Sequence, residues 1–330
     1  MSKRRNRECS QADVLLPCTD MDAAMDYYAG TAGLRIDSVF PADAPRKVML
    51  SAKGLRLTLE RIQTDSPQPP ADPAPIITKR QNGGFTKGRA GMQYRDLIPG
   101  RFGGRIIASH IRIPTGGPVP DYVHHHDVLF QIIFCVHGWV RVVYEDQGAP
   151  LLMEAGDCLL QPPHIRHRVL ECSAELEVVE LAGPAEHETL VDHDLTLPTR
   201  TLLPERNFGG QRFVFHKARD ARWTAWECEG FSCRDTGVGS ASDGNVSAVV
   251  AASSGAATAV SLKHAADLRF LFVLDGKATC RAGVDVQHEL AKYDSCAIPA
   301  NLDCSLTEVS PDFKVLDVSI PSRQAGQPVR

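Results

Sequence analysis

Residues 85 to 330 contain a diverged internal repeat. Three segments recur in the same order: Phe85–Arg89 with Phe215–Arg219, Phe130–Tyr144 with Phe270–Arg281, and Leu160–Pro162 with Ala297–Pro299. The turn glycines of the middle pair, Gly138 and Gly276, are separated by the length of one small barrel and its connection. Both halves are rich in strand patterns and in Gly and Pro turns. We therefore predict a mainly β fold with two tandem β-barrels, at residues 85–198 and 199–330.

Three shorter segments precede the repeat. Residues 13–62 have the pattern of a small α/β module with the order βαβββ, in which Thr19 or Asp20 caps the helix. Residues 63–84 contain five prolines and end in Asn82-Gly83-Gly84, so they predict a stiff linker and a domain boundary. Residues 1–12 are polar and begin with a basic run, which predicts a flexible, solvated tail.

Two spaced groups of histidines lie in the first half of the repeat. They are Gly117-(six residues)-His124-x-His126-(four residues)-Gln131-(six residues)-Gly138 and Gly156-(five residues)-Pro162-x-His164-x-x-His167. This pattern resembles the two sequence motifs of the cupin superfamily, with Gln131 in place of the usual glutamate and His164 in place of the usual turn glycine. The resemblance implies a bicupin, with a metal held in the N-terminal barrel by His124, His126, Gln131 and His167.

The chemistry of these side chains agrees with a metal site. His124 and His126 are two residues apart, so on a strand both point to the same face. The Pro162-Pro163 corner can return His167 across the same space. Burying three imidazoles without partners would cost about 1–3 kcal/mol each, a cost that a metal removes. Imidazole ligands favour a divalent transition metal such as Fe, Ni, Zn or Mn.

Other polar residues near the motif are candidates for weaker roles. Tyr122 is two residues before His124, so on a regular strand both side chains point to the same face. We therefore predict that Tyr122 points inward as a proton donor or substrate anchor. Arg112, on the preceding strand, could bind a substrate carboxylate or form a salt bridge at the barrel end. For the remaining histidines we predict a surface position (His125), a turn at the barrel mouth (His164), structural roles (His110, His137) and a linker (His187, His193).

The second half of the repeat lacks most of these ligands. The repeat places Leu262, His264, Arg269 and Cys304 opposite His124, His126, Gln131 and His167. An arginine in the ligand ring would repel a dication. We therefore expect the C-terminal barrel to be degenerate, to hold no similar metal and to have a structural role, with anion binding by Arg269 as an alternative.

The N-terminal module has a resemblance of its own. The pattern Asp20-x-Asp22-x-Ala24-x-x-Tyr27-Tyr28, followed by Gly33-Leu34, resembles a half-module of the glyoxalase/vicinal-oxygen-chelate family. That family builds its metal site from two such modules. Here Asp13 stands at the position of the first-strand histidine, and Glu60 at that of a ligand glutamate. We therefore expect a structural or partner-docking role for the module, and a solvated Glu60.

The predicted site allows three functions. Four neutral ligands would leave the full metal charge to polarise a bound carbonyl or acid, which favours an isomerase or lyase that moves protons on a small oxygenated acid or sugar-derived carbonyl compound. Similar arrangements occur in the cupin that linearises unsaturated uronates and in the bicupin isomerase of bacilysin synthesis. Similarity to gentisate- and salicylate-type bicupins suggests an Fe(II)-dependent dioxygenase instead. A non-catalytic metal- or ligand-binding module is the third possibility.

Composition limits the partners. The net charge of −4 provides no positive field for nucleic acid or an anionic membrane, and no apolar run has the length of a membrane span. None of the ten cysteines forms a CxxC pair, and the N-terminus lacks the apolar region of a secretory signal. We expect a cytoplasmic protein with reduced thiols and a small-molecule substrate. The bicupin resemblance implies a homo-oligomer.

Overall fold

The computed structural model describes residues 12–62, 74–88, 91–255, 259–282 and 286–322. The predicted tail up to residue 11 and the first half of the predicted linker, 63–73, lie outside these residues. The described part of the chain is mainly β-structure, and its few helices have one or two turns. It contains no helix that is long and apolar enough to span a membrane.

The N-terminal module has the predicted βαβββ order. Its strands are β1 (Ala12–Cys18), β2 (Arg35–Phe40), β3 (Lys47–Ala52) and β4 (Leu55–Arg61). Helix α1 (Met21–Met25) is capped by the Asp20 carboxylate, which accepts a hydrogen bond from the Ala23 amide at 3.0 Å, and a π-helical turn (Asp26–Thr31) follows it. The strands lie in the order β1-β4-β3-β2, with β1 parallel to β4, and pack their apolar face on Met21 of the helix.

The first β-unit follows a short strand in the linker, β5 (Ile76–Thr78), and a 3-10 turn (Arg80–Asn82). Its strands are β6 (Thr86–Lys87), β7 (Gln93–Asp96), β8 (Ile107–Ile113), β9 (Gly117–Pro118), β10 (His124–His126), β11 (Phe130–His137), β12 (Trp139–Tyr144), β13 (Leu151–Glu154), β14 (Cys158–Gln161), β15 (His167–Cys172), β16 (Leu176–Gly183) and β17 (Thr189–Val191). A short left-handed turn, Arg101–Gly104, precedes β8.

The second β-unit repeats this plan. Its strands are β18 (Asn207–Phe208), β19 (Gln211–Arg212), β20 (Val214–His216), β21 (Thr224–Ala225), β22 (Phe231–Asp235), β23 (Ser247–Ser253), β24 (Ala259–Ser261), β25 (Leu268–Asp275), β26 (Lys277–Ala282), β27 (Val286–Ala291), β28 (Ser295–Pro299), β29 (Cys304–Thr307) and β30 (Lys314–Ile320). A 3-10 turn (Ala218–Asp220) and a one-turn helix (Val238–Ala241) interrupt them.

Each β-unit consists of two facing sheets. In the first unit the order β17-β10-β15-β12-β13 faces the order β14-β11-β16-β8-β7-β6, and in the second β24-β29-β26-β27 faces β21-β22-β23-β30-β25-β28. The units also exchange strands: β5 pairs with β28 of the second unit, and β20 pairs with β14 of the first. The predicted linker therefore contains a strand that belongs to the second unit's sheet.

The largest apolar core lies between the two units. Along β11, Phe130, Ile132 and Phe134 face the second unit, whereas Gln131 and Ile133 face the interior of their own unit. On β25, Phe270 and Phe272 face back toward the first unit. These strands are buried on both faces, which explains why they are nearly continuous apolar runs.

Strand pairing supports the predicted repeat. Gln131 pairs with Gln161 in the first unit, and Arg269 pairs with Ile298 in the second. The turn at Gly138 is closed by a hydrogen bond from Trp139 to Ser173, and the turn at Gly276 by one from Lys277 to Ser310. At both glycines an added Cβ would collide with that serine, so the two turns share a steric requirement as well as a position.

The core between the units predicts a large stability effect at Phe270, whose side chain is fully buried. Phe270→Ala should lower the free energy of unfolding by about 3–5 kcal/mol, because it leaves a cavity where the two sheets meet. Leu202→Ala is the control, since Leu202 is 63% exposed. Denaturant unfolding measures both, and a loss at Phe270 no larger than at Leu202 would contradict the assigned core.

Candidate metal centre

Three histidines meet in the interior of the first β-unit. His124 on β10 lies directly opposite His167 on the neighbouring antiparallel strand β15, and His126 follows on the same face of β10. One nitrogen of each ring lies within 4.8 Å of the corresponding nitrogens of the other two, and all three side chains are buried. The ring centroids of His124 and His167 are 4.2 Å apart. The predicted convergence of these three imidazoles is therefore present in the structure.

Each imidazole is held through Nδ1 by a neighbour outside the cluster. His124 Nδ1 donates to the carbonyl oxygen of Tyr122 at 2.8 Å, and His167 Nδ1 donates to that of Ile165 at 3.0 Å. A carbonyl oxygen can only accept, so both rings carry their proton on Nδ1 and turn an Nε2 lone pair to the cluster. Nδ1 of His126 lies 2.9 Å from Oγ1 of Thr189. Such outward contacts are typical of metal-binding histidines.

A buried carboxylate supports the first histidine. Asp121 Oδ1 lies 3.6 Å from Nδ1 of His124, and Oδ2 of the same carboxylate accepts a hydrogen bond from the Val169 amide at 2.9 Å. The negative charge next to Nδ1 increases the electron density that His124 can offer from Nε2. Asp121 also connects the loop before β10 to β15, which helps to keep His124 opposite His167.

Gln131 lines the same cavity, but its amide oxygen has a protein partner. Gln161 Nε2 donates to Gln131 Oε1 at 2.7 Å, and the Tyr144 hydroxyl donates to Gln161 Oε1. A carbonyl oxygen has two lone pairs, so this chain orients Gln131 and leaves room for one further bond. The predicted role of Gln131 as a fourth ligand therefore stays a proposal, with Gln161 and Tyr144 as its supports.

The cavity around the histidines has a polar end and an apolar interior. Side chains of β8, β12 and β16 supply most of the apolar lining, including Ile111, Val140 and Val178. Glu180 on β16 also lines the cavity, and sequence reasoning missed it. Burial and, to a lesser degree, the Glu180 carboxylate raise the pKa of Tyr144 above its ordinary value. Tyr144 therefore stays a protonated hydrogen-bond donor at neutral pH.

The two predicted catalytic residues do not line this cavity. Tyr122 offers its carbonyl to His124, and its ring lies edge-on to the His124 imidazole at 5.9 Å. Arg112 lies on the opposite face of β8 from Ser109, Ile111 and Ile113, which line the cavity. Its Nε donates to Gln93 Oε1 at 2.7 Å, and its guanidinium lies over the Phe85 ring. The structure therefore does not bring Arg112 to the metal-binding residues.

His187 was predicted to lie in a linker and instead lines the cavity. Its ring centroid is 5.6 Å from that of His126, and its Nδ1 bonds to the Pro184 carbonyl at 2.9 Å. Burial lowers the pKa of His187, so the ring is neutral at neutral pH.

The two other histidines singled out in the sequence lie away from the metal cavity. His164 is exposed in a turn with a φ of 63°, and His110 is a buried structural residue bonded to Glu177. These positions agree with the predicted turn at His164 and the predicted structural role of His110.

The second unit has different chemistry at the equivalent positions. Arg269 forms two bonds to the buried carboxylate of Asp317, at 2.7 and 3.1 Å, and another to Glu227 at 2.8 Å. Both nitrogens of His264 lie 3.1 Å from backbone carbonyl oxygens. Sγ of Cys304 lies 3.4 Å from that of Cys280. The cation predicted to enter the ligand ring is thus held by two carboxylates, and the absence of a metal from this unit stays a prediction.

Comparisons with known proteins support the fold. No protein-family model and no curated protein sequence matches the chain. Among solved structures, the oxalate decarboxylase of Bacillus subtilis, studied for its Mn(II) centres, has a TM-score of 0.54 at 11% identity over 76% of this chain and 78% of its own. The oxalate decarboxylase of Lactobacillus farciminis, in a formate complex, has a TM-score of 0.55 at 12% identity over 74% of this chain and 86% of its own.

A third similar structure is the protein Ylba of E. coli, with a TM-score of 0.57 at 10% identity over 79% of this chain and 97% of its own. The chain has a bicupin fold. At these identities the likeness concerns the fold alone. The predicted mainly β architecture of two tandem cupin units is confirmed, whereas the glyoxalase likeness of the N-terminal module stays a prediction from sequence.

The donor set of the bicupin cavity suits a divalent transition metal. It combines three buried imidazoles, two of them with a fixed tautomer, and one amide oxygen that can be a further ligand. A set of this kind suits Fe, Ni, Zn or Mn better than Ca or Mg, which require mostly oxygen ligands. A neutral ligand set leaves the whole charge of a bound ion to act on the cavity.

Replacing a single histidine should abolish stoichiometric metal binding. His124→Ala should weaken Mn(II) or Zn(II) binding by more than roughly 100-fold, since even the loss of an outer hydrogen bond costs about 10–100-fold. His125→Ala is the matched control, because its side chain lies on the other face of β10. Metal analysis after dialysis measures both variants, and equal metal content in the two would contradict the assigned ligand.

The hydrogen bond between His126 and Thr189 provides a finer test. Thr189→Val keeps the shape of the side chain and removes the oxygen that holds His126 Nδ1. The dissociation constant for Zn(II) should rise by roughly 10-fold to 100-fold. Thr199→Val, in a loop outside the cavity, is the control. Competition with a chelator measures the constants, and an unchanged value for Thr189→Val would show that the contact does not support the ligand.

Proposed function

We propose that the protein is a metal-dependent enzyme that moves a proton on a small oxygenated organic acid or carbonyl compound, as an isomerase or lyase. The observation that carries this proposal is the cluster of His124, His126 and His167 inside a cavity that also contains Glu180 and Tyr144. A cavity of this kind would combine a Lewis-acid site with a carboxylate that can accept a proton, as proton transfer requires.

The side chains that line the cavity have different roles in the proposed reaction. The three histidines would hold a divalent metal, which would supply polarisation of a substrate carbonyl or carboxylate. Glu180 provides a carboxylate oxygen that can take a proton from the polarised substrate and return it to another atom. Tyr144, protonated at neutral pH, keeps Gln161 and Gln131 oriented through its hydrogen bond. The apolar lining excludes water, which strengthens each electrostatic contact.

Mn(II) is the first metal to test. The Bacillus subtilis oxalate decarboxylase, which has the same fold, contains Mn(II) centres. Decarboxylation, the removal of carbon dioxide from a small acid, is itself a lyase reaction. The fold alone does not transfer the substrate, so the proposal names the class of a small oxygenated acid or carbonyl compound.

Assays with and without oxygen separate the proposed reaction from a dioxygenase. The metal-loaded protein should convert a member of a panel of hydroxy acids, keto acids and uronates at the same rate under argon and in air. Oxygen consumption matched to turnover would overturn proton transfer in favour of oxygenation. If the metal binds and none of the panel or of a set of dihydroxy-aromatics reacts, the non-catalytic module becomes the better interpretation.

Glu180 gives a variant that tests the mechanism. Glu180→Gln should lower kcat by roughly 100-fold to 10,000-fold, because it removes the proton acceptor, and should leave the metal content unchanged. Glu171→Gln is the control, since Glu171 forms an exposed ion pair with Arg141. A Glu180→Gln protein with normal turnover would remove Glu180 from the reaction.

A further inference from the structure

His187 lines the metal cavity from a segment that the N-terminal module helps to hold in place. Strand β17 begins two residues after His187 and pairs with β10 on one side and with β2 of the module on the other. Val39, Thr189 and His126 therefore lie in one row across three strands. The ring centroid of His187 is 5.6 Å from that of His126. This imidazole thus reaches the site without belonging to the histidine motif that supplies the proposed metal ligands.

The tautomer of His187 is fixed by a backbone group. Nδ1 lies 2.9 Å from the carbonyl oxygen of Pro184, which can only accept a hydrogen bond, so the neutral ring carries its proton on Nδ1. Nε2 therefore has a free lone pair. It has no hydrogen-bond partner among the described residues, yet it is not one of the nitrogens that protein atoms shield completely from solvent. His187 therefore offers an unused acceptor to a molecule in the cavity.

His187 lies outside the ligand cluster. Among the described residues, the group whose ring nitrogens all lie within 4.8 Å of one another consists of His124, His126 and His167. His187 touches this group only through the edge-on contact of its ring with His126. Its position therefore suits contact with a molecule bound beside the metal ligands, and not ligation of the same ion.

The charged groups of the cavity indicate which kind of donor His187 would meet. The described lining contains the carboxylates of Asp43 and Glu180 and no Lys or Arg. A substrate with a second carboxylate, beyond a single metal-binding one, would be repelled by these negative charges. A hydroxyl group carries no charge, and it can donate its proton to a neutral imidazole nitrogen. A hydroxyl-bearing monoacid or carbonyl compound therefore fits these groups better than a diacid does.

We propose that His187 is a substrate-binding residue of the cavity, and that its Nε2 accepts a hydrogen bond from a hydroxyl group of the substrate. The substrate class is thereby narrowed to small hydroxy acids and hydroxycarbonyl compounds with one metal-binding group. The inference rests on the proposed function for the reaction, but the contact itself is measured without turnover. An analogue that lacks the hydroxyl group would leave Nε2 without a partner in a buried site, and the site would therefore bind it more weakly.

Calorimetric titration of the full-length protein with propionate, lactate and 3-hydroxypropionate tests this assignment, with the Mn(II)-loaded and the metal-free protein in parallel. The three acids have the same number of carbon atoms and differ only in the hydroxyl group. The wild-type protein should bind one of the two hydroxy acids more tightly than propionate. His187→Leu should reduce that preference by roughly 3-fold to 10-fold, the effect of losing one hydrogen bond.

Two further variants separate binding from packing. His164→Leu is the matched control, because His164 is an exposed histidine that does not line the cavity. His187→Gln keeps a side-chain acceptor and should retain part of the preference. Because the preference is a ratio of two dissociation constants for the same protein, an overall loss of affinity in a variant does not change it.

The same preference in His187→Leu as in the wild-type protein would show that the hydroxyl group contacts another atom, and would overturn the proposal. A wild-type protein that prefers neither hydroxy acid over propionate would overturn it as well. A preference that depends on His187, in a protein that converts no substrate, would support the binding site and remove the proposed function. Turnover together with a preference that does not depend on His187 would do the opposite.

Discussion

The pairing of β10 with its two neighbours determines the candidate site. On one side His124 lies opposite His167 of β15, and on the other side His126 lies opposite Thr189 of β17. Side chains alternate along a strand, so a slip of one residue in either pairing would turn the imidazoles out of the cavity. Asp121 ties the loop before β10 to β15, and Thr189 holds His126 from β17. The ligand geometry is therefore a property of the sheet and needs no flexible loop to form it.

The sheet of the first unit that contains β11 contributes to both the metal cavity and the core between the units. Its strand β11 turns Phe130, Ile132 and Phe134 to the other unit and Gln131 to the cavity. The apolar contact between units fixes the strand, and the strand in turn fixes Gln131 next to Gln161. In the second unit the same position is Arg269, which is neutralised by Asp317 and Glu227. The two halves of the repeat thus share the strand arrangement and the core between the units, but differ in the side chains that face the interior of each unit.

The sequence predicted the parts of this site that depend on local spacing. His124 and His126 are two residues apart on one strand, and the glycine and proline landmarks indicate the turns that return His167. The sequence could not place Arg112, because β8 is buried on both faces and its apolar pattern does not show which face is the interior. Glu180 was missed for the same reason on β16.

The contribution of the N-terminal module depends on long-range pairing, which local patterns do not contain. Asp43 and His187 are 144 positions apart in numbering, and only the pairing of β2 with β17 brings both to the cavity. Residues 185–191 have the polar composition of a linker. In the structure β17 pairs with β10 and β2, and Ala185 and His187 line the metal cavity.

The central claim is that three imidazoles hold one metal ion inside the first unit. X-ray absorption at the zinc edge of the Zn(II)-loaded protein tests it directly. The account predicts one zinc per chain with three imidazole nitrogens at about 2.0–2.1 Å. A protein that takes up no stoichiometric zinc, or a spectrum dominated by sulfur at about 2.3 Å, would contradict it.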